Sequence, residues 1–160
     1  MEDIWRDALL FHKWANLKVL DACAALSDSQ LQLTAPGTYG TIAATLLHLL
    51  RAEEGYVRRL QGAPRAQTDD GSFPGVQALR EPFGRSADKL LEAAATLKPE
   101  DTTVAEYDNG EMVTLRQSLI VVQAIHHGND HRTHIYTILG SHGIPFEEID
   151  VWGYGLVVQC

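Results

Sequence analysis

Residues 113–140 read VTLRQSLIVVQAIHHGNDHRTHIYTILG, and the period of this stretch decides how the rest of the chain folds. Ile120, Ala124, His127, His131, Ile135 and Ile138 recur at intervals of three and four, the spacing that places side chains on one face of an α-helix. Thr114 and Gln117 have the capping-box spacing that opens a helix, and Gly140 stands where a left-handed residue would close it after Leu139. A helix with one apolar stripe needs a partner surface. Two of its imidazoles point to the side that the partner covers.

The chain on the N-terminal side supplies three more such stripes. Ile4, Ala8, Phe11, Ala15, Val19, Ala22 and Leu26 predict a first long helix ended by Ser27 and Asp28. After the connector LTAPGTYG, Thr41 is a candidate N-cap for a second helix that carries Ile42, Leu46, Leu49, Tyr56, Val57 and Leu60. The segment GAPRAQTDDGSFPG is rich in turn formers, has no period and reads as a loop. A third stripe, Val76, Leu79, Phe83, Ala87, Leu90, Ala94 and Leu97, contains Pro82 and Gly84 in its first half, which predicts a kink or a late start. In TTVAEYDNGEMV the pattern becomes extended, and Asn109-Gly110 suits the turn of a short β-hairpin before the last helix. In the tail, Trp152 and Tyr154 are expected to pack back onto the helices. Four amphipathic helices, none apolar all round, bury their stripes most simply in an all-α four-helix bundle, with residues 1–160 forming a single domain.

Composition narrows the function. A chain of 160 residues, 45% apolar and 21% charged, can fold without disulfides or a structural metal, so a metal here is expected to be functional. No run approaches the roughly 18 apolar residues of a spanning helix. The start, MEDIWRDALLFHKW, is acidic and lacks a cleavage site, so a cytoplasmic protein with no membrane partner is expected. A net charge of -8 with scattered lysines and arginines argues against nucleic acid. Cys23 falls within an apolar helical stripe and reads as a small core residue, and with Cys160 at the last position there is no disulfide framework.

Of the seven histidines, four lie within AIHHGNDHRTHI. His127 and His131 are one turn apart on the core stripe, and an unpaired buried polar group costs about 1 to 3 kcal/mol. A divalent ion satisfies both rings at once, and neutral imidazole suits zinc, nickel, copper and iron. The second helix offers a third ligand in His48, set among Leu46, Leu47, Leu49 and Leu50. Three histidines leave a coordination position for water or substrate, the arrangement of a reactive rather than a structural site. Taken alone, His48 is equally a core histidine bonded to a backbone carbonyl. His134 is a rival ligand, nearly in line with the pair, and His126, rotated about 100° from His127, belongs at a helix interface or behind the ligands. His12 reads as a helix-surface residue and His142 as a loop residue, neither with a functional case. Glu53, Tyr56 and Asp130 are candidates to support the ligands from behind but read more readily as solvated or packing residues, and none is given a catalytic role.

Together these motifs resemble the DinB/YfiT-like family, the damage-inducible group of metalloenzymes. FHKWANLKVLDACAALSDSQL is similar to the family's first helix and GTIAATLLHLLRAEEGYVRRL to its second with the single histidine. VTLRQSLIVVQAIHHGNDHRTHI matches the fourth with its HxxxHR motif, and IDVWGYG the terminal segment. The resemblance implies an up-down-down-up bundle holding zinc or nickel on His48, His127 and His131. It also implies a homodimer and, as in some members, activation of a low-molecular-weight thiol for transfer to an electrophile. This chain departs from the family where HRTH, at 131–134, replaces the common HRGQ. His134 and Thr133 thus stand where residues facing the metal pocket are expected. The leading expectation is a metal-dependent enzyme acting on a small molecule through a thiol or water. A non-catalytic, stress-associated metal- or ligand-binding bundle and a metal-free dimeric scaffold are the rivals.

Overall fold

The computed structural model describes residues 2–63, 71–106 and 110–158. In chain order the elements are α1 (Glu2–Cys23), α2 (Asp28–Leu31), α3 (Ile42–Leu60), α4 (Val76–Thr96), β1 (Thr102–Glu106), β2 (Met112–Arg116), α5 (Gln117–Ser141) and α6 (Val151–Val158). The four long helices form the bundle, with α1 packed on α4 and α5, and α3 on the same two. Lys13 pairs with Asp88 and Asp21 with Arg80, so α1 and α4 run antiparallel. His12 lies against Gly128 and Asn16 bonds Arg132, so α1 and α5 run parallel. His48 meets His127 and Tyr56 meets Gln123, which makes α3 antiparallel to α5. The result is the up-down-down-up order that the resemblance implies.

Local chemistry sets most element ends. The Thr41 hydroxyl accepts from the Ala44 N–H at 3.0 Å, capping α3 as its sequence predicts. Ser27 and Gln30 form a reciprocal capping box, which starts the single turn of α2 where the sequence suggests only a helix end. No late start occurs in α4, because its helix runs unbroken from Val76 through Pro82 and Gly84. Pro82 withholds one amide from the ladder, a loss the neighbouring Leu79 and Phe83 offset by near-complete burial.

The hairpin forms with Thr102 opposite Arg116 and Val104 opposite Thr114. Asn109 and the segment 64–70 of the expected loop lie outside the described residues. Because the ladder claims Thr114, the capping box expected with Gln117 does not form. Instead, α5 follows β2 directly, and the Gln117 N–H donates to the Asp101 carbonyl at 2.9 Å. At its other end the helix passes Gly140 and ends at Ser141. Gly143, at φ +65°, is the left-handed residue, with the Ile144 N–H donating to Leu139 and the Gly143 N–H to Gly140.

The buried face of α1 is offset by one position from the stripe read in the sequence. Leu9, His12, Ala15, Asn16, Val19, Leu20 and Cys23 are buried, whereas Ile4 is exposed. His12 is therefore a core residue, contrary to its sequence reading. Cys23 is core as expected, and burial pushes its thiol up to about 12, so it is inert.

The core divides into two apolar clusters. One includes Val19, Leu46, Leu49, Phe83, Ile135 and Ile138, and the other Leu9, Val57, Leu90, Ile120 and Ala124. On every long helix the residues between the two clusters include buried polar ones: His12 and Asn16 on α1, Glu53 on α3, Ser86 on α4, and His131 and Arg132 on α5. A polar layer thus crosses the bundle. Outside it, Tyr154 of α6 packs on Phe11 and Trp14, as expected for the tail, but Trp152 is 85% exposed. No described helix is long and apolar enough to cross a membrane.

Phe83→Ala empties the middle of the larger cluster and is expected to cost about 3 to 5 kcal/mol in urea denaturation.

Candidate metal centre

Apolar burial on both sides orients the histidines. On α3, buried Leu46, Leu49 and Leu50 bracket His48, and on α5, Ala124 and Ile135 bracket His127 and His131. One nitrogen from each of these three rings comes within 4.8 Å of the other two. His48 Nε2 stands 3.0 Å from His127 Nε2, and the ring centres of His127 and His131 are 4.3 Å apart. Two nitrogens on one tetrahedral ion, each about 2.0 to 2.1 Å from it, would be separated by about 3.3 Å. The His48–His127 pair is close to that separation, and a nitrogen of His131 lies within 4.8 Å of both.

The protonation chemistry fits the same group. Burial first, then the neighbouring His131 and His48, pushes His127 down to about 4. His131 is also held at about 4, by burial and then by His48 and His134, and burial lowers His48. Neutral rings with free lone pairs are the form that binds a divalent ion. Nδ1 of His131 is buried without a hydrogen-bond partner among the described residues. An ion on these rings would answer a group that the protein itself leaves unsatisfied.

Aromatic side chains wall the triad. Tyr39, from the connector before α3, stacks on His48 at 4.1 Å between ring centres and meets His131 edge-on at 5.0 Å. Tyr56 meets His127 edge-on at 5.7 Å, and its hydroxyl accepts from Gln123 at 3.5 Å. Tyr39 is half exposed, so the site opens to solvent on its side. His134 lies beside His131, 5.2 Å between ring centres, but is not part of the convergent trio. Its own buried Nδ1 is also unpartnered.

The remaining candidates separate cleanly. Asp130 is exposed, with its charge close enough to favour protonation of His127 and His131. His126 is exposed and lines a cavity between α1, α5 and α6, and His142 bonds the Thr34 carbonyl at 2.9 Å. Glu53, read as a solvated or packing residue, is buried and bonds His12 at 2.6 Å. Sequence reading did not find Tyr39, since a residue in an irregular connector has no period to place it. His12 reads as a surface residue in the sequence because a polar residue does not mark an apolar stripe, yet it is buried.

A model of the DinB family matches residues 1–155 of the chain. No curated protein and no solved structure matches it.

With folded-state values near 4 against 6.5 for free imidazole, the unfolded chain binds more protons between those limits. The metal-free protein is therefore expected to lose stability as pH falls from 6.5 towards 4, and His127→Gln to flatten that slope. Melting temperature against pH, in a chelating buffer, checks both; an equal slope in the variant would contradict the assignment.

Proposed function

The chain belongs to the DinB family over residues 1–155, and on that premise we propose that it is a metal-dependent enzyme that transfers a small thiol, or water, to an electrophilic small molecule. The observation that carries this reading is the convergence of His48, His127 and His131 from two helices, with no fourth ligand of the same group among the described residues. A closed structural site would use four protein ligands; three leave room for an exchangeable one. Zinc or nickel, bound there, would supply Lewis acidity that lowers the pKa of a coordinated thiol or water.

The side chains around the triad have their own parts. Stacking on Tyr39 restrains the plane of His48, and the edge of Tyr56 restrains His127. Burial raises the Tyr56 phenol, keeping it a neutral hydrogen-bonding group at neutral pH. His134, where common relatives carry glutamine, offers a ring nitrogen beside the triad for a polar group of the substrate. We place the protein in the cytoplasm, acting on a low-molecular-weight thiol.

We also propose a homodimer. Its support is the apolar surface of α6, where Val151, Trp152, Leu156, Val157 and Val158 are all exposed, an unusual cost for a monomer in water.

Metal analysis of untagged protein is expected to find about one ion per chain, and turnover of a thiol and electrophile panel to vanish in His131→Ala. Stoichiometric metal without turnover would instead favour a protein that only retains an ion or ligand. Light scattering is expected to give twice the chain mass, and the double variant Trp152→Asp, Leu156→Asp to give the monomer.

A further inference from the structure

Within the triad of the metal-free chain, a single proton shared by His48 and His127 at 3.0 Å is too little to set the spacing of three rings on two helices. Lone pairs converge on one point, and the two closest nitrogens can share only one proton. Something outside the triad has to hold α3 and α5 at the right separation. The apolar clusters above and below permit small slides at low cost, whereas hydrogen bonds between fixed atoms do not.

Such bonds run through the polar layer. His12 Nε2 lies 2.6 Å from Glu53 Oε2, across the diagonal between α1 and α3. One turn later on α1, Asn16 donates through Nδ2 to the same Glu53 oxygen at 3.1 Å and accepts through Oδ1 from Arg132 Nη1 at 2.6 Å. Arg132 Nη1 also stands 3.4 Å from His12 Nδ1. A ring carrying its proton on Nε2 meets both His12 contacts, giving to Glu53 and receiving from Arg132. The 3.1 Å approach of the Asn16 amide to His12 Nε2 is then a contact, not a bond. All four side chains are at most 4% exposed.

Each end of this bridge is tied to a ligand. Glu53 follows His48 by five residues on α3, about 7.5 Å along the axis, and Arg132 is the residue next to His131. Gly128, next to His127, permits the close passage of α1. A Cβ there would fall 2.3 Å from His12 Cε1 and 2.8 Å from His12 Nδ1. A glycine inside a helix costs about 1 kcal/mol against alanine, so this approach is kept at a local loss.

We propose that α1, which supplies no ligand, positions the histidine triad: His12 and Asn16 bridge Glu53 on α3 to Arg132 on α5 and thereby fix the separation of His48 from His127 and His131. The proposal rests on the reading of the triad as a metal centre. These are positioning residues, acting through the helices they join.

Titration with Co²⁺ alone, followed by its visible absorption band, tests the proposal. Wild-type protein, Asn16→Leu, Asn16→Asp and the control Leu90→Val are compared, with melting temperatures in parallel. Asn16→Leu is expected to weaken Co²⁺ binding by about tenfold or more and to change the band, as loss of groups that orient ligands does. Leu90→Val, in the other apolar cluster, is expected to lower the melting temperature while leaving affinity and band unchanged. Asn16→Asp keeps the shape and the acceptor for Arg132 but loses the donor to Glu53. It is expected to weaken binding less, and it carries the test should Asn16→Leu fail to fold. Wild-type affinity and band in Asn16→Asp or in folded Asn16→Leu would overturn the positioning role, as would equal effects from Leu90→Val. A wild-type protein that takes up no Co²⁺ would overturn the metal centre itself, a separate outcome.

Discussion

Three imidazole rings meet between α3 and α5 with one nitrogen of each within 4.8 Å of the other two. Nitrogen lone pairs at that distance repel unless a proton or a cation lies among them. Both His127 and His131 are held near 4, so at neutral pH each ring keeps a single N–H, and one such proton can bridge His48 and His127 at 3.0 Å. What is left is a cluster of neutral rings with lone pairs to spare, held together by the packing of the helices that carry them. The apolar stripes of the bundle supply that packing. The site has the character of a prearranged socket that a Lewis acid would complete.

The polar layer explains how hydrocarbon packing acquires a single register. A slide of one helix by a turn could leave leucine against leucine in either cluster. It could not leave Glu53 opposite His12 and Asn16 opposite Arg132, and an ionised carboxylate pressed into hydrocarbon is far more costly than a shifted methyl. Buried polar groups add little net stability when satisfied, but they penalise every arrangement in which they are not. One oxygen of Glu53 has no partner among the described residues, so the layer is close to satisfied and not fully so.

Much of this was legible in the sequence, and the reason is periodicity. The α3, α4 and α5 stripes name core residues that are buried in the structure, and the same period placed His127 and His131 on the α5 core face. His48 stood out because it interrupts leucines. Periodicity misled on α1, where alanines on the flank mimic a stripe and the true face carries histidine and asparagine. It was also silent on Tyr39, placed by the course of a connector, and on Thr114, whose hydroxyl could serve a cap or whose backbone could serve a strand. There the ladder with Val104 won, because five paired residues outweigh one side-chain bond. The ends of α5 were misjudged for this reason and because Gly140 lies on a helix that ends only at a better left-handed site.

The hairpin passes into α5 without a spacer: Arg116 closes the ladder opposite Thr102, and Gln117 begins the helix. Strand register and helical phase are therefore geared together. Removing one residue between Arg116 and His127 would turn everything downstream by about 100° relative to the ladder and swing the two imidazoles out of the interior. For this stretch the number of residues matters as much as their identity. Variation by insertion or deletion, tolerated in surface loops, is closed to this part of the chain.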